Sequence, residues 1–136
     1  MNDGRDPAAI ARAIIDANLY MVIGTADENG RPWVSPVYYA ATSYRKLFWV
    51  SSPDTRHSRN LGARADVSIV IFDSSVPIYG GKGVYMSAVA QEFDHDGHAD
   101  AIETYSRRSL AHGGPRWTLE SVQPPAETTP LPSYSR

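Results

Sequence analysis

Residues 47–61, LFWVSSPDTRHSRNL, do most to limit how this chain can fold, because an apolar, β-rich run ends there and a polar, basic segment begins. Residues 47–50 have the aromatic and β-branched character of a buried strand, and Pro53 lacks the N–H that would carry a sheet ladder onward. Asp54 is placed to cap a short helix over residues 55–63. A strand that hands the chain to a helix N-terminus leaves unpaired backbone N–H groups and a partial positive charge at the junction. The hydroxyls of Ser51, Ser52 and Thr55 and the cations Arg56 and Arg59 gather at that point, and a guanidinium can grip two phosphate oxygens at once. Two readings stand side by side: a phosphate site, or a surface helix capped by Asp54 with solvated arginines. No glycine spacing of the P-loop kind decides between them.

Upstream, Asp6 and Pro7 mark a helix start, and Ile10, Ala13, Ile14 and Ala17 fall at helical spacing, so an amphipathic helix over residues 6–17 ending at Asn18 is expected. Residues 19–26 read as a strand. Asn29-Gly30 then gives the strongest short-range hairpin signal, which pairs that strand antiparallel with residues 30–40. In this second strand Trp33, Ser35 and Val37 point one way and Val34, Pro36 and Tyr38 the other. Pro36 cannot donate to a ladder, which suits an edge or a place where a ligand stands in for the missing neighbour. Residues 65–73 read as a strand buried on both faces, and residues 83–93 as a further antiparallel strand behind the glycine-rich hairpin 79–83. The cluster Asp94, His95, Asp96 and His98 is read as a turn and helix cap, so no metal site is expected. A satellite helix follows to about Arg108, with Ala101, Ile102 and Tyr105 on its buried side.

A length of 136 residues gives room for one domain, read as residues 1–112, followed by a proline-rich tail over 113–136 that is extended or disordered. The net charge of −2 supplies no electrostatic reason for a nucleic-acid or anionic-membrane partner. The absence of cysteine excludes disulfides and thiolate metal sites and suits a cytoplasmic protein. No stretch approaches the ~20 apolar residues of a membrane-spanning helix.

The succession of a strand, the Asp-Glu-Asn-Gly turn, RPWVSPVYYA, LFWVSSPDTRHSRNL and VSIVIFD resembles the pyridoxamine 5′-phosphate oxidase-like proteins, the FMN-binding split β-barrels, over residues 8–108. The resemblance implies a mainly β fold with flanking helices, of the α+β class. It implies FMN, with its phosphate met by Ser51, Ser52, Arg56 and His57 and its ring along the backbone of Ser35, Pro36 and Val37. It further implies a homodimer with the cofactor at the subunit interface. His57 either faces the phosphate or is a solvated helix residue. Members usually continue into a strand that helps complete the barrel and, in true pyridoxamine-phosphate oxidases, carries basic substrate-binding residues. Residues 113–136 offer no counterpart, which argues against that activity.

The leading expectation is therefore hydride or electron transfer between a small organic molecule or nicotinamide and a bound flavin. The chemistry would belong to the cofactor, since no nucleophile or paired carboxylate has a supporting context. An F420-dependent reductase on the same barrel is one alternative, against which stands the lack of lysine between Arg56 and Asn60. A non-catalytic flavin sensor, a haem-handling protein or a barrel without its cofactor is the other.

Overall fold

The computed structural model describes residues 6–92, 99–118 and 121. Helix α1 (Pro7–Ala17) starts and stops as its sequence dictates. The Asp6 carboxylate accepts the Ala8 N–H at 3.3 Å, while the Asn18 side chain and backbone N–H both donate to the Ile14 carbonyl. Strands β1 (Tyr20–Ala26) and β2 (Pro32–Tyr38) form the expected antiparallel hairpin, with Ile23 opposite Ser35 and Val22 opposite Pro36. The connecting turn is organised by Asp27 as much as by Asn29-Gly30. Its carboxylate accepts the N–H groups of Asn29 and Arg31, both at 2.9 Å, and Gly30 takes the positive φ of 83° that the turn requires.

Strands β3 (Ala40–Thr42) and β4 (Lys46–Phe48) form a separate hairpin, turned at Ser43 and Tyr44. The expected buried strand over 47–50 is thus short and half-buried: among the described residues it pairs only with β3, while Leu47 and Trp49 pack against one hydrophobic cluster and Phe48 and Val50 against another. Helix α2 (Arg56–Ala63) leads to β5 (Asp66–Phe72), then β6 (Gly83–Val89) and helix α3 (Ala99–Ala111). The main sheet is antiparallel in the order β2-β1-β5-β6, with Val70 opposite both Val22 and Tyr85. Among the described residues no strand pairing closes this sheet into a barrel. The architecture is mixed helix and antiparallel sheet.

One sheet face is the core. Met21, Ile23, Val37, Val67, Ile69 and Ile71 pack with Ile15 of α1 and with Tyr39, whose hydroxyl donates to the Ile15 carbonyl at 2.7 Å. The expectation that residues 65–73 are buried on both faces is corrected, since β5 alternates: Val67, Ile69 and Ile71 are buried while Asp66, Ser68 and Phe72 are exposed. The residues in register with the exposed set carry Val34 (66 % exposed), Tyr85 (82 %) and Val89 (71 %) on the outer face. A second cluster joins Ala40 to Ile102, Tyr105 and Trp117, so α3 and the chain after it cover β3. Arg108 locks this layer by donating to the Tyr39 carbonyl at 3.0 Å and to the Asn18 carbonyl, with its guanidinium 4.7 Å from the Tyr39 ring centroid. The Asp94 to His98 cluster lies outside the described residues. No helix among the described residues is long and apolar enough to cross a membrane.

Candidate functional site

The expected strand-to-helix junction exists, with a different cap. Thr55, not Asp54, is the N-cap of α2: its hydroxyl accepts the Ser58 N–H at 3.3 Å and donates to the Ser52 carbonyl at 3.0 Å. Asp54 is one residue too early and lies exposed, while its own N–H donates to Ser52 Oγ at 3.3 Å. Ser52 is buried and builds the turn from both sides, through its hydroxyl and its carbonyl.

His57 is neither solvated nor a surface residue. It is 1 % exposed, with Nε2 at 2.7 Å from Ser51 Oγ and 3.3 Å from Thr55 Oγ1. Burial holds its imidazole below the ordinary histidine range, so near neutrality it is an uncharged hydrogen-bonding group. Ser51, Ser52, Thr55 and His57 therefore come together as one polar cluster around the first turn of α2.

Arg56 turns the other way. Its guanidinium lies 4.1 Å from the centroid of the Trp33 ring on β2, and among the described residues no carboxylate forms an ion pair with it. Trp33 also donates its indole N–H to Ser35 Oγ at 3.0 Å, so one side chain links the Ser35 to Val37 segment with α2. Ser35 and Val37 are buried on the core side, and Pro36 is exposed on the outer face of the edge strand. An edge is where a strand proline is tolerated.

Between the β1–β2 hairpin and α2 lies an open cleft of about 270 Å³, lined by Asp27, Arg31, Pro32, Trp33, Arg56, Arg59 and Asn60. Three guanidinium groups face it against one carboxylate. Asp27 is already held by the Arg31 and Asn29 N–H groups, which keep its carboxyl below the usual carboxylate range. The cleft floor is tied down by buried Asn60, whose side-chain N–H donates to Thr25 Oγ1 at 3.0 Å, and Thr25 donates in turn to the Trp33 carbonyl at 3.4 Å. Guanidinium groups pair with carboxylate and phosphate oxygens through their planar fork of N–H donors. Sequence reasoning missed Trp33, Asn60, Arg31 and Asp27 as lining residues. For Asn60 a signal existed: it falls three residues after His57, on the same helix face.

The fold and cleft together define a small antiparallel-sheet protein with a cationic cleft at one end of its hairpin. The chain belongs to the pyridoxamine 5′-phosphate oxidase family, whose model matches residues 9–127. Similar solved structures include HutZ, the heme storage protein from Vibrio cholerae, at 23 % identity over 80 % of both chains with a TM-score of 0.67. A heme binding protein from Mycobacterium smegmatis is 25 % identical over 80 % of this chain and 46 % of its own length, with a TM-score of 0.69. The chain thus spans under half of that protein. An F420 reductase is 16 % identical over 85 % of this chain and 81 % of its own, with a TM-score of 0.59. No curated protein matches the sequence.

Proposed function

We propose that the chain is an FMN-binding, oxidoreductase-like protein that works as a homodimer, with the cofactor phosphate at the N-terminal turn of α2 and the ring along Ser35, Pro36 and Val37. The observation that carries this reading is the guanidinium of Arg56, set against Trp33 at the rim of a cleft that it shares with Arg31 and Arg59. The donor chemistry fits a phosphate: hydroxyls at Ser51, Ser52 and Thr55 and the positive end of a helix, with the cations of Arg31, Arg56 and Arg59 in the neighbouring cleft. His57, neutral and hydrogen-bonded to Ser51, orients that hydroxyl. Trp33 holds Ser35 in place through its indole N–H. A bound flavin would supply hydride or single-electron transfer, and the residues around it bind, orient and exclude water. The substrate is a small organic molecule or nicotinamide. Two copies are joined through the outer sheet face, where Val34, Tyr85 and Val89 would otherwise leave apolar surface in water.

The absorption spectrum of freshly purified protein, followed by chromatography of what heat releases, tests the reading. A flavin spectrum with released FMN supports it. A deazaflavin spectrum points to F420 on the same fold, and a Soret band to the haem handling named for two of the similar structures. A colourless protein that also fails to take up added FMN would overturn it.

A further inference from the structure

Outside the cleft, four aromatic rings form a continuous ladder from the interior to the surface. The Trp117 and Tyr105 centroids are 5.9 Å apart, those of Tyr105 and Tyr38 5.7 Å, and those of Tyr38 and Tyr20 6.0 Å, each pair edge to face. Trp117 and Tyr105 are buried, whereas Tyr20 is half exposed. At the middle of the ladder the Tyr38 hydroxyl lies 2.8 Å from Nδ1 of His112. With Tyr38 as donor, Nδ1 of His112 is the acceptor and the ring N–H is on Nε2.

We propose that Tyr38 and His112 form a proton-coupled redox pair, through which this protein passes single oxidising equivalents along the ladder to its surface. In the step, Tyr38 loses one electron to a one-electron oxidant while its phenolic O–H bond breaks. The proton moves to Nδ1 of His112, leaving a neutral tyrosyl radical and an imidazolium. An electron from a thiolate in solution, entering at Tyr20 and leaving a thiyl radical behind, then restores the phenol as His112 returns the proton. Only the identity of the oxidant in the cell, a photoexcited flavin, rests on the function proposed above; the pair and the ladder do not.

The surroundings single out Tyr38. Arg108 lies 5.7 Å from its ring centroid, and this fixed positive charge disfavours a cationic oxidised phenol, so the electron leaves together with the proton. Burial pushes the Tyr38 hydroxyl up, which keeps the proton in place until oxidation. Tyr39 has no comparable base, because its hydroxyl donates to a backbone carbonyl. The Tyr44 hydroxyl meets the Asp16 carboxylate at 2.8 Å, a weaker base than imidazole, and Tyr44 is outside the ladder.

The test generates the hole in the full chain with photo-oxidised tris(bipyridine)ruthenium(III) and follows it by transient absorption and electron paramagnetic resonance. Because the chain has eight tyrosines, the comparison is between variants. Wild type should give a tyrosyl signal that rises more slowly in deuterated water. Tyr38→Phe, which keeps the ring contacts, should lose most of it. His112→Gln should slow its rise several-fold, with recovery on adding imidazole. Tyr105→Phe should leave a longer-lived tryptophan radical. An equal yield and rise in wild type, Tyr38→Phe and His112→Gln would overturn the proposal. His112 is exposed, so that variant carries the test even if Tyr38→Phe does not fold. No bound cofactor is needed, and a colourless protein that also fails to take up added FMN would sink the flavin reading while leaving this experiment intact.

Discussion

Arg56 and Trp33 meet with the guanidinium 4.1 Å from the ring centroid, so the first residue of α2 is held against β2 by a cation–π contact before any ligand arrives. The contact is worth about 0.5–1 kcal/mol at an exposed site. Its value for binding is preorganisation, because a long flexible side chain is already fixed where an anion would meet it.

Removing the cation should therefore cost more than removing its support. Arg56→Ala is expected to weaken FMN binding by about 1.5–3 kcal/mol, roughly ten- to a hundredfold in Kd, and Trp33→Leu by less than this. Titration of apoprotein by fluorescence quenching measures both, and the double variant should fall short of the sum because the two side chains touch. Unchanged retention in Arg56→Ala would remove the phosphate assignment.

Asn60 is buried, with its side-chain N–H donated to Thr25. Asn60→Leu leaves the Thr25 hydroxyl without this donor in a confined space. It should lower stability by about 1–3 kcal/mol in urea unfolding. Thr25→Val should cost less in this background than in wild type, since only its donation to the Trp33 carbonyl is left to lose.

His57 gives a pH dependence whose sign follows from its burial. The folded state holds its pKa below 6.5, so the unfolded chain binds more protons in the window beneath that value. The contribution is fully present above pH 6.5 and is lost as the pH falls towards the folded pKa. His57→Gln should flatten the stability profile over that window. An unchanged slope would mean that other groups set it.

Arg108 joins three elements through two backbone carbonyls, at Asn18 and Tyr39, and stacks on the Tyr39 ring. Lysine cannot span both carbonyls with the planar fork of a guanidinium. Arg108→Lys and Arg108→Met should both lower the unfolding free energy, by about 1.5–3 kcal/mol for hydrogen bonds from a charged donor, read by thermal unfolding as a lower midpoint.

The outer sheet face predicts self-association. Tyr85→Glu puts a charge on the apolar outer face and should convert a dimer to a monomer in sedimentation velocity without altering the far-ultraviolet circular dichroism. A wild-type monomer would sink the dimer proposal.

Much of the fold was legible because its signals are local. Asp6 and Pro7 start α1, Asn18 stops it, and Asn29-Gly30 turns the first hairpin with Gly30 at positive φ. Residues 65–73 misled because β-branched and aromatic residues outnumber polar ones there; the polar positions Asp66 and Ser68 were the signal of a face left outward. Asp54 misled for a related reason. Both Asp54 and Thr55 are good caps, and the choice fell to Thr55 because its hydroxyl reaches Ser52 and Ser58 together.

The sequence by itself determined the caps of α1 and the turn of the first hairpin, and it set the hydroxyls of Ser51, Ser52 and Thr55 close along the chain to the cations Arg56 and Arg59, since each of these depends on residues within a few positions of one another. Tertiary structure alone decided that His57 is buried, that Trp33 lies beneath Arg56, that Asn60 holds Thr25 and that Tyr38 meets His112. These partners stand as far as 74 positions apart. Hydrogen bonds and ring contacts act over a few ångströms, so such pairs exist only once sheet register and helix packing have brought their elements together.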